Sequence, residues 1–309
     1  MLADHRRYHG AMLTKLMTSA MPLVPTPIMR RLAGRYIAGE EQGRAIARLR
    51  ELAARGYSGI FDILGEGEGS EAHARAAAEA YERGAEALAA AGLDAYISVK
   101  PTHMGLTAED EELPFELYSR LAERCAALGL LMRVEMEDHP TTDGTLRVFE
   151  RLRERYDNVG IVLQSRLFRT PEDISRLAPG PLDVRMVKGI YLEPPSLAHT
   201  ERQAISDAYV AQTRQLLERG DVRVRFATHD TVLAERLLGL VREFGLGKDD
   251  YEFQVLLGVQ EPTWERWLHE GHSVRVYVPF GPEWRAYSQR RLKRNPDLAK
   301  AVIRDLLPF

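Results

Sequence analysis

Two adjacent arginines follow an aromatic residue near the end of the chain, in the stretch YVPFGPEWRAYSQRRLKRNP at residues 277–296. Pro282 is typical of a first helical turn, so the spacing predicts a helix with Tyr287, Arg290 and Arg291 on one face. Two planar guanidinium groups can bind a carboxylate or a phosphate in bidentate fashion. Such a cluster fits either a small-anion site or a solvated helix face, and this stretch alone leaves both open.

Further polar side chains close short apolar runs elsewhere in the chain. If these side chains met in one site, they and the paired arginines would supply five fixed positive charges against two or three carboxylates. That balance favours an anionic ligand together with an anionic cofactor. The residues are Lys100, Glu135, Glu137, Gln164, Arg185, Lys188, Thr228, His229 and Tyr277.

Alternative chemistries exist for several of these residues. Lys188 can serve as a Schiff-base lysine or as a simple contact to phosphate, and the contact is the preferred interpretation. Glu135 needs a cationic partner if it lies near a barrel interior, and an arginine reaching across the mouth is the expected one. A divalent metal site, as in a metal-dependent barrel hydrolase, is a further alternative, although no H-x-H or H-E-x-x-H spacing is present. Its ligands would be Glu135, Glu137, His139, His229 and Asp230.

The elements that must position these residues alternate between two patterns. Eight short runs rich in β-branched residues are separated by longer segments with helical periodicity. Eight βα units in about 250 residues predict a (βα)8 TIM-type barrel, with chemistry at the carboxyl ends of its strands. A doubly wound sheet is the competing architecture, but GEGEGS after the first run lacks the G-x-G-x-x-G pattern. The runs lie near 59–65, 95–101, 130–137, 159–165, 184–192, 222–230, 251–259 and 274–281.

The same pattern divides the chain into two parts. Residues 1–38 precede the first unit and are expected to form additional N-terminal helices that flank a catalytic barrel of residues 39–309. Both packing against the barrel and a peripheral membrane contact are open for the apolar stretch AMLTKLMTSAMPLVPTPIM. Lys15 and three prolines in this region argue against a secretory signal.

Composition limits the classes of protein and its surroundings. A net charge of −3 over 309 residues gives no indication of a nucleic-acid partner. The single Cys125 excludes an internal disulfide and is expected in a helix core. The expected location is the cytoplasm, with a peripheral contact at the inner membrane face left open.

A series of motifs resembles the proline dehydrogenase family, in its monofunctional bacterial form. The motifs occur in the family's order: SVKPT, RVEMED, VLQS, RMVKGIYLEP, FATHD, FQVLLGV and YVPFG...W..Y..RRL..NP. The resemblance implies a (βα)8 barrel that holds FAD non-covalently and oxidises L-proline to 1-pyrroline-5-carboxylate. It also implies electron transfer to a quinone or another acceptor, and a 1-pyrroline-5-carboxylate dehydrogenase as a partner for the product.

The resemblance further implies roles for individual residues. Arg290 and Arg291 would grip the proline carboxylate with help from Lys100, while Tyr277 and Tyr287 line the site. Leu256 would form its apolar wall, Arg185 would tune cofactor reduction, and Lys188 and His229 would meet phosphate oxygens. The cofactor contacts implied are Met136, Gln164, Arg185, Val187, Lys188, Gly189, Ile190, Thr228 and His229.

Two positions depart from the family pattern. Glu135 stands where the family often has aspartate, and Arg294 stands where it usually has glutamate. We expect Glu135 to form a latch with Arg290 or Arg291 that closes the last helix over the site. Loss of that pair in Glu135→Ala is expected to change folding little, if the pair is partly solvated.

Overall fold

Eight parallel strands form a closed barrel in sequence order. The structure is a computed structural model, and it describes residues 29–30, 33–65, 69–285 and 287–288. β1 pairs with both β2 and β8, which closes the barrel and confirms the predicted (βα)8 fold. The strands are β1 Ser58–Ile63, β2 Ala95–Val99, β3 Met132–Val134, β4 Val159–Gln164, β5 Leu182–Val187, β6 Val222–Ala227, β7 Tyr251–Leu256 and β8 Val274–Phe280.

Eight α-helices accompany these strands within the described residues, one before β1 and one between each successive pair of strands. α2 shows why they form where they do: the Ser70 hydroxyl accepts a hydrogen bond from the His73 amide, and Gly92 ends the helix in the left-handed conformation. The helices are α1 Gln42–Ala53, α2 Glu71–Ala91, α3 Glu112–Ala127, α4 His139–Arg153, α5 Thr170–Arg176, α6 Arg202–Arg219, α7 Thr231–Glu243 and α8 Glu261–His269.

The apolar core lies between the strands and the surrounding helices. Phe61 on β1 packs against Phe280 on β8, and Phe253 on β7 stacks on Trp267 of α8 with ring centroids 4.2 Å apart. Cys125 is fully buried in α3, as the sequence predicts. The surrounding helices therefore bury the outward-facing side chains of the strands, which explains why the strand runs are apolar.

The interior of the barrel is charged rather than apolar. Near the start of the strands, Asp183 pairs with Arg133 and, at 2.7 Å, with Arg225. Glu252 accepts a hydrogen bond from Arg275 at 2.9 Å. These pairs differ from the apolar layers usual in such barrels, and they are tolerated because each buried charge has an opposite charge beside it.

The chain before α1 is tied to the end of β8. The Ala38 amide donates to the Pro279 carbonyl at 2.9 Å, and the Gly281 amide donates to the Gly39 carbonyl at 3.0 Å. Most of the predicted N-terminal helical segment lies outside the described residues, so its division from the barrel stays a prediction. Across the part of the chain that is described, no helix combines the length and the apolar character needed to cross a membrane.

Gly160 on β4 gives a test of the charged interior. An added Cβ would lie 2.5 Å from Arg133 Nη1 and 2.8 Å from the Asp183 carbonyl oxygen. We therefore expect Gly160→Ala to lower the free energy of unfolding by about 1 to 3 kcal/mol, as other overpacked sites do. The measurement is urea unfolding followed by circular dichroism.

Gly239→Ala is the matched control, because Gly239 lies in helix α7 and an added Cβ would meet nothing within 4 Å. That change should be neutral or stabilise by up to about 1 kcal/mol through helix propensity. Equal stability of Gly160→Ala and the wild type would contradict the close approach of Arg133 to β4.

Candidate active site

Arg185 lies in the barrel interior and is only 4% exposed. Its Nε donates to Gln254 Oε1 at 2.6 Å, and its Nη2 donates to the Tyr96 hydroxyl at 2.9 Å and to Ser98 Oγ at 3.3 Å. Its Nη1 donates to the Glu135 carboxylate. Burial would lower the pKa of Arg185, but the Glu135 carboxylate, Tyr96 and Tyr277 together raise it above its usual value. The site therefore holds a permanent cation in a fixed orientation.

Glu135 follows β3 and is the anion that compensates this cation. Its carboxylate also accepts a hydrogen bond from the Ser98 hydroxyl. Burial would raise the pKa of Glu135, but Arg185, Ser98 and Lys100 together lower it, so the group is held ionised. The side chains of Glu135 and Arg185 are only 13% and 5% exposed.

This geometry changes one expectation about Glu135. The pair is buried rather than partly solvated, so the expected small effect of Glu135→Ala on folding does not apply to it. The cationic partner that the structure describes for Glu135 is Arg185, on a strand. Arg290 and Arg291 lie outside the described residues, and the predicted latch with them stays a prediction.

Asp62 on β1 joins the site without having been predicted from the sequence. Lys100 Nζ donates to its two carboxylate oxygens at 3.0 and 3.3 Å, and Asp62 is 0% exposed. Burial raises the pKa of Asp62 to about 6, against the opposing effects of Lys100 and Tyr277. The signal available in the sequence was a single charge within the apolar run GIFDILG.

Tyr277 on β8 lies near the carboxylates of Asp62 and Glu135. The Arg185 guanidinium carbon lies 5.6 Å from the centre of its ring. Burial and the nearby charges of Asp62 and Glu135 raise the pKa of Tyr277 well above its usual value, and Tyr287 adds to this effect. The phenol is therefore neutral and can act as a hydrogen-bond donor.

The ends of β4 and β5 form a cradle beside this cluster. Gln164 Nε2 donates to the Glu137 carbonyl at 2.6 Å, while its buried Oε1 has no hydrogen-bond partner among the residues that the structure describes. Gly189 has a φ of +91°, and an added Cβ there would lie 2.7 Å from Gln164 Oε1. Ile190, the next residue, is 64% exposed. An unused acceptor beside a glycine backbone is a suitable contact for a bound group.

The ends of β5 and β6 meet through an ion pair. Lys188 Nζ lies 2.6 Å from Asp230, whose other oxygen accepts hydrogen bonds from the first turn of α7. His229 Nε2 accepts a hydrogen bond from the Leu256 amide at 3.0 Å, and Thr228 Oγ1 accepts one from the Asp230 amide. Lys188 and His229 thus reach the predicted edge of the barrel, each with a protein partner there.

The remaining predicted residues are distributed around the same mouth. Met136 is buried after β3, and Val187 and Leu256 are partly buried at the last positions of their strands. Tyr287 is partly buried, and its amide donates to the Glu283 carbonyl at 3.1 Å. Sequence reasoning missed Tyr96, Ser98 and Gln254 as partners of Arg185, because they lie inside strands rather than at their ends.

The alternative metal ligands are each engaged separately. Glu135 pairs with Arg185, Asp230 pairs with Lys188, and His139 Nδ1 lies 2.6 Å from Glu193. Across the residues the structure describes, no group of three or more histidine, cysteine, aspartate or glutamate side chains is arranged to hold a metal ion. The described geometry therefore gives the metal alternative no support.

A closed (βα)8 barrel with a buried cation at the carboxyl ends of its strands defines the class of barrel enzymes whose site lies at the mouth. Within that class, the family model for proline dehydrogenase matches residues 45–304. The chain belongs to the proline dehydrogenase family.

Individual relatives agree with this assignment. A proline dehydrogenase of Deinococcus radiodurans is 33% identical over 304 residues, covering 97% of this chain and 98% of the relative. Proline dehydrogenase 2 of Bacillus subtilis strain 168 is 32% identical, covering 85% of this chain and 86% of the relative. Proline utilization A from Bdellovibrio bacteriovorus, solved after inactivation by N-propargylglycine, superposes with a TM-score of 0.80 at 23% identity. The match covers 90% of this chain and 36% of that protein, and it supports the fold.

Glu135→Ala should lower the free energy of unfolding by about 3 to 5 kcal/mol, because it leaves the buried Arg185 cation without its carboxylate. Chemical unfolding measures the loss. The control is Glu243→Ala, which removes an exposed pair with Arg214 and should cost no more than about 1 kcal/mol. Similar losses in the two variants would contradict the burial of the Glu135 and Arg185 pair.

Proposed function

We propose that the chain oxidises L-proline to 1-pyrroline-5-carboxylate with FAD as its cofactor and a quinone or another molecule as the electron acceptor. The observation that carries the proposal is the meeting of Lys100, Glu135, Arg185 and Tyr277 at one barrel mouth in a member of this family. The mouth offers fixed cations for a carboxylate and a neutral phenol for a small ring.

The residues present fit FAD. The unused Gln164 Oε1 can accept a hydrogen bond, and the Gly189 backbone permits close approach of a planar group. Met136, Val187, Ile190, Thr228, His229 and Lys188 would complete the contacts, with the Lys188 ammonium shared between Asp230 and phosphate. When bound, FAD would accept the hydride from the proline carbon at flavin N5.

The substrate side is formed by residues from several elements. Lys100 would bind the proline carboxylate together with Arg290 and Arg291. Tyr277 and Tyr287 would exclude larger or ring-opened amino acids. Leu256 would form the apolar wall, so these side chains orient the substrate without covalent chemistry.

Arg185 would stabilise negative charge that develops next to it. A preorganised buried cation needs no reorganisation at the moment of reaction, and a low local dielectric strengthens its effect. Glu135 would act by holding Arg185 in place and ionised. These two residues are therefore the candidates for the catalytic step.

The product would require a second enzyme, since a cyclic imine must be hydrolysed and oxidised to give glutamate. We propose a 1-pyrroline-5-carboxylate dehydrogenase as that partner. A relative in Escherichia coli K12, 26% identical over 86% of this chain, is a bifunctional protein, of which this chain covers 23%. We propose a cytoplasmic location, with the N-terminal segment packed against the barrel and a contact at the inner membrane face as the alternative.

Anaerobic addition of L-proline to the purified protein tests this proposal. We expect a yellow protein whose flavin absorbance bleaches with proline and does not bleach with L-valine, which lacks the ring. A yellow protein that never bleaches would support a binding protein instead. A colourless protein with a tightly bound metal ion would support the hydrolase alternative.

A further inference from the structure

Asp62 is a fully buried carboxylate whose contacts are with residues of the proposed substrate site. β1 lies between β2 and β8 in the barrel, so Asp62 sits between Lys100 after β2 and Tyr277 on β8. Lys100 approaches both of its carboxylate oxygens, at 3.0 and 3.3 Å. The Tyr277 phenol lies close enough to the same carboxylate to lower its pKa.

The arrangement restricts Lys100 more than its side chain would by itself. A lysine ammonium on a four-carbon stem has several rotatable bonds and no fixed donor geometry. The side chain is only 8% exposed, so solvent contributes little to holding it. The two oxygens of the Asp62 carboxylate therefore fix the position of the ammonium.

Stability alone does not account for this carboxylate. Buried ion pairs are frequently neutral or unfavourable for stability compared with well-packed apolar residues of similar volume. Ile60, two residues earlier on β1, is also fully buried and apolar. The ion pairs near the strand starts, such as Asp183 with Arg225, connect strands to each other, whereas Asp62 pairs with Lys100, a side chain proposed to touch substrate.

We propose that Asp62 is a positioning residue that holds the Lys100 ammonium for the carboxylate of a small cyclic amino acid. The inference rests on the proposed function and adds a residue to its substrate site. Asp62 acts through Lys100 and touches neither the substrate nor the cofactor. The other charged and titratable groups that face it are Glu135, Tyr277 and Tyr81.

The first measurement is steady-state kinetics of Asp62→Asn, which keeps the shape of the side chain and removes its charge. We expect KM for proline to rise at least tenfold, with kcat within about threefold of wild type and the FAD content unchanged. The matched control is Asp173→Asn, the same change in a buried aspartate of α5 that pairs with Arg169 at 2.8 Å outside the barrel. The control should leave both kinetic constants unchanged, and a wild-type KM in Asp62→Asn would overturn the proposal.

A double-mutant cycle separates positioning from a general structural effect. If Asp62 acts through Lys100, then Asp62→Asn added to Lys100→Met should change KM less than twofold relative to Lys100→Met alone. If the KM increases of the two single variants multiply in the double variant, the two residues act independently and the proposal is overturned. The double variant removes both buried charges, so its KM can be compared with that of Lys100→Met even if Asp62→Asn alone fails to fold, and a further rise of tenfold or more would then overturn the proposal.

Calorimetric binding of cyclopentanecarboxylate distinguishes failure of this inference from failure of the proposed function. This probe has the ring and the carboxylate but no amine, so its binding needs no turnover. Wild-type protein that binds the probe but is not bleached by proline would contradict the proposed function and leave the role of Asp62 standing. Equal probe affinity in wild type and Asp62→Asn, or no binding to wild type, would overturn the role of Asp62.

Discussion

The buried Arg185 cation is the constraint on which the rest of the barrel mouth depends. Removing a guanidinium from water costs several kcal/mol unless hydrogen bonds and an opposite charge replace its hydration. Glu135 supplies the charge, and three neutral side chains supply the remaining contacts. They are Tyr96, Ser98 and Gln254. Because these residues come from β2 and β7, and Glu135 directly follows β3, satisfying Arg185 fixes the inner side chains of widely separated parts of the barrel.

The same network continues from the mouth toward the strand starts. Gln254 Nε2 donates to Glu252 at 2.5 Å, and Glu252 in turn pairs with Arg275 and Arg225. Gln254 is therefore a neutral link between the charged interior and the proposed catalytic cation. In this barrel the side chains that fill the interior and those that orient the site belong to one continuous set.

Much of this organisation could be predicted from the sequence, because it follows from local patterns. Apolar runs alternating with helical segments specify the eight strands, and their polar ends place Lys100, Glu135 and Tyr277 at one mouth. Which of the site residues pair with one another was harder to predict. Glu135 could be seen to need a cation, but the sequence does not say which cation reaches it, and the structure pairs it with Arg185. Asp62 was missed because the apolar run around it is typical of an ordinary buried strand.

Rapid mixing of proline with the oxidised protein under anaerobic conditions tests the central role of Arg185 most directly. The measurement is the limiting rate of flavin bleaching in wild type and in Arg185→Met, both carrying bound FAD. The account predicts a limiting rate lower by about 10²-fold or more, as when one preorganised electrostatic donor is lost, with apparent proline affinity changed much less. A limiting rate equal to that of the wild type would contradict it.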